Sequence, residues 1–506
     1  MNQIIRAIGT FAFTVLIALS AAHAQHHKCG VTIEEGKKIM EQFHFNRNEM
    51  RDFAFERGAV TYVPIRFFLV AKADGTGRTS ERAALGALCL LNENYADQEI
   101  QFYIKEFKYI NNDDIYSDPI NSGFNDIANQ MIYNALNIFI SKETGEEGVL
   151  GFYQPGAGPQ GNDWVVLEEN SATEKLVATH EVGHFFSLNH TFYGWECSGG
   201  WDENLHGNPV GNTSPCGMPN ERVNMTNCDG FNCGGDCLCD TPADYMFPNN
   251  NCNYTEDATD PNGQLLDPDI LNFMNYVYGC SAYRFTDDQK QAIKNSLFSS
   301  SRNYVRPNYT PTLEQVTGTP ILVSPQGGEL IPTYNAVPLE WTAVPGADKY
   351  LVEMTTSGQP VRRFVVNSNT TVVNGLLPNK SYLWKVLGFN EYSTCAGFSS
   401  QKILKTGEDQ VNDTSELTRK EKWTLGPNPV KLGESFFLTL STDAKVTAEI
   451  SIFTSNGQLM QERRAIDFAQ GDTSYEIETN SLNAGLYLVN IKTANAARTL
   501  KLSIVE

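Results

Sequence analysis

Three histidines and a glutamate fall within THEVGHFFSLNHTF, residues 179–192: His180, Glu181, His184 and His190. On an α-helix, residues four apart share a face, so His180 and His184 present two imidazoles to one ion. Glu181, one step along and rotated by about 100°, reaches a water on that ion without ligating it. His190 is different. Six further helical steps would leave it on another face and roughly 9 Å along the axis. A continuous helix therefore makes ligands of only two histidines, and the winding must stop after Phe186 and double back. Three imidazoles with one open position are the ligand set of a catalytic zinc. Three of the eight histidines have this spacing, and His206 is the only other one beyond residue 44. A helix of merely solvated histidines leaves that concentration unexplained.

The pattern H-E-x-x-H-x-x-G-x-x-H uses its glycine for the tight exit that brings the third histidine round. Here Ser187 stands in that place. Holding a non-glycine residue in left-handed geometry costs on the order of 1–2 kcal/mol. Zinc binding of ~10 kcal/mol or more at structural sites dwarfs that strain. Asn189 tolerates the left-handed region better than most residues, and the Ser187 hydroxyl can bond back to a helix carbonyl. The corner is expected to form at Ser187 and Asn189.

Downstream comes LNFMNYVYGC, whose Met274 lies 84 residues after His190. Metzincin zinc proteases place a methionine in a tight turn beneath the three histidines, and Met274 is suited to that role. The chain resembles the pappalysin (cytophagalysin) branch of the metzincins through HEVGHFFSLNHTF, GGDCLCDTPADY at 234–245 and NFMNYVYGCSAYRFTDDQ at 272–289. Weaker similarity runs through LCLLNENYADQEIQFYI and VLGFYQPG, over residues 60–300. The departures are Ser187 and the extra cysteines beside Asp240-Thr241-Pro242.

That resemblance implies a zinc endopeptidase acting on proteins or peptides. Glu181 is its general base, and Tyr276 shares the developing oxyanion with the metal. It also implies Ca2+ sites near the acidic loops at 236–270, and a specificity pocket built from residues 270–285 and an edge strand at Trp164-Val165-Val166. Cys252 with Cys280 is the preferred disulfide, tying the Asp-Thr-Pro loop to the methionine turn. Cys29, in HKCGV at 27–31, is a lone cysteine in a segment that resembles a propeptide. Its thiolate is a candidate for the open zinc position; the alternative is a free thiol in a leader. Arg51 and Arg57 are candidate cut sites for a trypsin-like activator.

The elements around these residues are mixed. VTYVPIRFFLV at 60–70 is apolar at nearly every position and reads as a buried strand, followed by helical SERAALGALCLLNENY and alternating IQFYIKEFKYI. NIFI, VLGFY and WVVLEE are further short strands. Two capping boxes, Ser171-Ala172-Thr173-Glu174 and Thr286-Asp287-Asp288-Gln289, are expected to open the histidine helix and a second helix. The fold expected for 59–306 is an α+β metzincin-like catalytic domain, a twisted sheet with the active-site helix packed on it.

Two all-β sandwich modules follow. Residues 318–407 resemble a fibronectin type III domain, with Trp341 inward and Tyr382 in a tyrosine-corner-like position. Polar residues 408–420 read as a linker. Residues 421–506 resemble the C-terminal sorting domain of type IX secretion substrates, through LGPNPV at 425–430, an Asn-Gly hairpin and the terminal AGLYLV strand; one more surface-binding sandwich is the alternative. At the other end, residues 1–24 read as an export signal: Arg6, an apolar run, then Ala22-His23-Ala24 ahead of Gln25. The weaker alternative is an N-terminal membrane anchor. A propeptide expected at 25–58 completes the map.

Eight of the eleven cysteines lie between 197 and 280, which in an exported chain reads as a disulfide-stapled loop region. A zinc knot at Cys233, Cys237 and Cys239 is disfavoured, because no histidine accompanies them. Cys29, Cys89 and Cys395 stand each alone in its region. The 506 residues carry 41% hydrophobic side chains and a formal charge of −21. Globular domains fit that composition, whereas nucleic acid and anionic membrane would be repelled. The expectation is a secreted or cell-surface monomer without a transmembrane segment, exported with the type IX machinery as partner. A surface adhesin with a degenerate protease domain is the rival reading, resting on Ser187; a zinc hydrolase of non-peptide substrates is disfavoured by Met274 and Tyr276.

Overall fold

The computed structural model describes residues 28–55, 58–156, 163–226, 228, 233–247, 252–409, 422–442, 445–454, 457–480, 482–493 and 497–505. The export signal at 1–24, Arg57 and most of the 408–420 linker lie outside the described residues.

The chain begins with β1 (Lys28–Cys29) and α1 (Ile33–Glu49), whose first turn is closed by a capping box between Thr32 and Glu35. β2 (Thr61–Ala71), α2 (Glu81–Asn94) and β3 (Ile100–Asn111) follow. Short helices α3 (Asp113–Ser117) and α4 (Phe124–Gln130) lead to β4 (Leu136–Ser141), β5 (Val149–Gln154) and β6 (Trp164–Glu168). After α5 (Val177–Phe185) come a long loop region with one short helix, α6 (Glu203–His206), and then α7 (Asp287–Phe298).

The strands form one six-stranded sheet in the order β1-β5-β6-β4-β2-β3. β6, β4, β2 and β3 are mutually parallel, whereas β5 runs against β6 and β1 runs parallel to β5. Alternation along β2 explains its continuous apolar run, since successive side chains point to opposite faces. Ile65, Phe67 and Leu69 join Ile138, Leu167, Leu88 and Val182 in the main core. Phe68 and Val70 meet Phe139, Val166, Ile115 and Ile127 on the other face.

Three expectations are corrected. α5 starts at Val177 with Leu176 as an N-cap that makes no side-chain bond, so the Ser171 box does not open it. The Ser171 hydroxyl instead donates to Glu168 Oε2 at 2.7 Å. β6, with Trp164-Val165-Val166, lies inside the sheet between β5 and β4; the strand that borders the site is β5. Cys89 and Cys395 are not solitary but bonded to each other across a separation of 306 residues. The box at Thr286 does open α7.

Residues 322–409 build a five-stranded and a three-stranded sheet around Trp341, Tyr350 and Trp384. The Tyr382 hydroxyl accepts a bond from Leu377 N at 2.7 Å, the corner anticipated from sequence. This sandwich is docked on α2 and β3 by the Cys89–Cys395 bond, by Thr394 Oγ1 donating to Leu85 O at 2.9 Å, and by Ile104 N donating to Glu391 O at 2.7 Å. Residues 422–505 form a second pair of sheets with a separate core of Phe436, Leu438, Ile450 and Val489.

Candidate metal centre

α5 carries His180, Glu181 and His184 in its fully buried last turns. It ends at Phe186. Ser187 N donates to His184 O at 2.8 Å and Leu188 N to Gly183 O at 3.0 Å, the paired bonds of a Schellman motif. That motif demands a left-handed residue after the cap, and Ser187 supplies it with φ 67°. The left-handed residue is thus Ser187 itself; Asn189 is not one of the positive-φ positions among the described residues. Nor does the serine hydroxyl return to the helix: it meets Asn46 Nδ2 at 2.9 Å and Ser296 Oγ at 3.2 Å.

The corner brings His190 back. His184 Nε2 lies 3.1 Å from His180 Nε2 and 3.1 Å from His190 Nε2. The opposite nitrogens are all engaged. His180 Nδ1 is 2.7 Å from Phe273 O and His184 Nδ1 is 2.8 Å from Leu188 O. A carbonyl only accepts, so each Nδ1 carries the proton and each Nε2 presents a lone pair inward. Burial and the neighbouring histidines reinforce neutrality, pulling His180 down to about 3 and His184 well below the usual imidazole range. Lone pairs facing one another repel unless a cation lies between them. Tetrahedral zinc with Zn–N near 2.0–2.1 Å spaces its nitrogens about 3.3 Å apart, so the residues fit that ion.

Around this cluster the other singled-out residues assemble. Cys29 Sγ and one nitrogen of each histidine all lie within 4.8 Å of one another. The thiol donates to Glu181 Oε2 at 3.3 Å, and Tyr276 OH donates to Cys29 O at 3.2 Å. Burial raises the Glu181 carboxyl to about 8 against the bonds it accepts from Cys29 and the Tyr153 backbone, and raises the Cys29 thiol well above its usual value. Met274 is fully buried under α5. A Cβ on Gly183 would sit 2.5 Å from its sulfur, so only glycine admits the methionine there. The structure pairs Cys252 with Cys280, Cys197 with Cys216, Cys228 with Cys239 and Cys233 with Cys237.

Two features were not singled out from sequence. Glu196 Oε1 is 3.0 Å from His190 Nδ1, and Gly194 N donates to its Oε2 at 2.7 Å. Its signal was faint: an acidic residue six positions beyond His190, in an aperiodic loop. The second is a buried carboxylate group of Glu221, Asp236 and Asp244. Glu221 Oε2 and Asp236 Oδ2 have no hydrogen-bond partner. Burial raises Asp236 to about 8 and Asp244 to about 6; burial and both aspartates raise Glu221 well above the usual range. Asp244 Oδ2 also accepts from Thr191 Oγ1 and Asn275 Nδ2, each at 2.7 Å, joining the corner after His190 to the methionine turn.

Residues 425–506 match the family described as the secretion system C-terminal sorting domain. The chain is accordingly a secreted or cell-surface protein, and no helix among the described residues is long and apolar enough to cross a membrane. It is similar to an extracellular metalloprotease of Neurospora crassa, 26% identical over 246 residues, covering 46% of this chain and 73% of that one. An extracellular metalloprotease of Colletotrichum graminicola is 24% identical over 283 residues, covering 53% of this chain and 86% of the relative. Among solved structures, the chicken CNTN1 FN1-FN3 domains match at 14% identity and TM-score 0.16, over 38% of this chain and 69% of that one. The fibronectin(III)-like modules of Clostridium thermocellum CbhA match at 14% identity and TM-score 0.15, over 37% and 92%. Neither score bears on the fold.

Proposed function

We propose that this chain is a secreted zinc endopeptidase of the pappalysin branch of the metzincins, kept latent by its own N-terminal segment and exported with the type IX machinery. The observation that carries the reading is the convergence of the Nε2 atoms of three buried imidazoles, with every Nδ1 engaged elsewhere. The extracellular metalloprotease relatives support it independently. Ser187 was the argument for a degenerate domain, and the corner it forms with all three imidazoles gathered weighs against that rival.

His180, His184 and His190 would hold the ion. When bound, it supplies Lewis acidity that polarises a peptide carbonyl and lowers the pKa of a water to roughly 7. Glu181 takes the proton of the attacking water and delivers it to the leaving amine; its raised carboxyl matches that double duty near neutral pH. Tyr276, protonated throughout because burial lifts its phenol well above the usual value, donates to the developing oxyanion. Glu196 orients His190 through Nδ1 and makes it a better ligand. Met274 supports α5 from below through the gap at Gly183.

In the unprocessed chain Cys29 occupies the place of the substrate. β1 is hydrogen-bonded along β5, with Cys29 opposite Gly151, and this puts the thiol among the histidines and beside Glu181. Cys29 would pass its proton to Glu181 Oε2, to which it already donates, and as a thiolate would be a further ligand that excludes substrate until the segment is removed. Glu221 and Asp236, each with a buried carboxylate oxygen that has no partner, are the candidates for the calcium that the resemblance implies, since such oxygens are hard ligands.

The test is metal content and proteolysis together. Purified processed protein is expected to hold one zinc per chain and to cleave casein, and Glu181→Ala to keep the zinc and lose the cleavage. Cleavage retained by Glu181→Ala would sink the assignment, and sequencing the wild-type products would define the substrate preference.

A further inference from the structure

The N-terminal segment touches the metal corner at more than its thiol. Asn46, on the last turns of α1, donates from Nδ2 to Ser187 Oγ at 2.9 Å. Its Oδ1 accepts from Ser301 Oγ at 3.2 Å and from Gln42 Nε2 at 2.7 Å. The same Ser187 hydroxyl pairs with Ser296 Oγ of α7 at 3.2 Å. Near the start of α1, Asn189 Nδ2 donates to Gly36 O at 2.9 Å, and Tyr193 lies so close that a Cβ on Gly36 would be 2.6 Å from its ring. Asn46, Ser187, Asn189, Ser296 and Ser301 are all no more than 3% exposed. Gly36 and Asn46 are ten residues apart, about 15 Å along a helix, so the two contacts bracket the corner from Ser187 to Tyr193.

Ser187 is the informative residue. At φ 67° a glycine would serve the backbone better, and the metal corner has no use for a hydroxyl. The buried amide of Asn46 does use it, since with glycine there its Nδ2 would lose this acceptor. We propose that Ser187, Asn189 and Ser296 form a docking surface whose partner is the 33–49 helix of this chain, a second anchor separate from the Cys29 thiol. The zinc-peptidase reading is needed only for what the docking controls. Residues 51–54 beyond the helix are exposed, so a cut at Arg51 severs the chain without disturbing either anchor. The severed segment then stays seated as a non-covalent inhibitor, and activation requires its departure as well as the cut.

Hydrogen exchange of the α1 amides in the intact full-length chain tests this. Asn46→Ala and Ser187→Gly are each expected to speed exchange over 36–47 about tenfold, the worth of one buried hydrogen bond. The double variant should exchange no faster than Asn46→Ala, because that variant already removes the Ser187 contact together with the bonds from Ser301 and Gln42. Cys29→Ser should leave α1 protection unchanged. Additive effects in the double variant, or α1 freed by Cys29→Ser alone, would overturn the proposal. Ser187→Ala, which removes the hydroxyl and keeps a side chain, should behave as Ser187→Gly does and separates the bond from backbone relief. Exchange reads docking whether or not the protein cleaves peptides, so a coupled result in an inactive chain would refute the peptidase reading alone.

Discussion

The histidine corner and the carboxylate group formed by Glu221, Asp236 and Asp244 are both buried polar clusters, and they handle burial in opposite ways. In the corner every outward-facing nitrogen has a partner, and His180 and His184 are kept neutral by burial and by the carbonyls at their Nδ1 atoms. In the carboxylate group two oxygens have none, and neutrality is obtained by holding protons. The first cluster is preorganised by the backbone, with Phe273 and Leu188 as fixed acceptors. Asp244 links the two, so disturbance of the second reaches Thr191 and Asn275 beside the first.

The largest effect should come from the corner's chemistry. Glu181→Ala is expected to reduce kcat by roughly 10²–10⁴-fold with zinc content unchanged, measured on processed enzyme. Next is the corner's one carboxylate support. Glu196→Ala should weaken zinc binding about 10–100-fold in a chelator competition, with Glu196→Gln recovering much of the loss.

The carboxylate cluster is read by pH. The ordinary carboxyl value for Asp236 is 3.8 and its folded value is about 8. Between those limits the unfolded chain ionises while the folded one keeps its proton, so calcium-free protein should lose stability as pH rises through that window. Added calcium should lift the melting temperature most at the alkaline end. A calcium effect that does not grow with pH would mean the cluster takes protons and no cation. The smallest change is Met274→Leu, expected to cost under about 1.5 kcal/mol in thermal unfolding and to leave zinc content intact.

Much of the corner was legible because helix geometry is local. The four-residue spacing put His180 and His184 on one face, and the need to reverse before His190 marked Ser187 as the turning point. The start of α5 was misjudged for an equally local reason: Ser171 had a nearer acceptor in Glu168, and the helix begins later without a side-chain cap. Strand existence was readable from apolar runs, but their order was not. β6 follows β5 in sequence yet lies inside it, since β5 reverses direction and becomes the strand along which β1 lies.

By itself, then, the sequence determined the types and spacing of the histidines, the glutamate one step along, and the stretch where the helix must break, all set by bond geometry within a dozen residues. Tertiary structure decided everything that depends on distance through space. It paired Cys89 with Cys395, set Glu196 against His190, gathered Glu221 with Asp236 and Asp244, and brought Asn46 to Ser187. No periodicity encodes such meetings, because they are fixed by how whole layers pack, and the Ser187 hydroxyl acquires a use only once α1 lies across it.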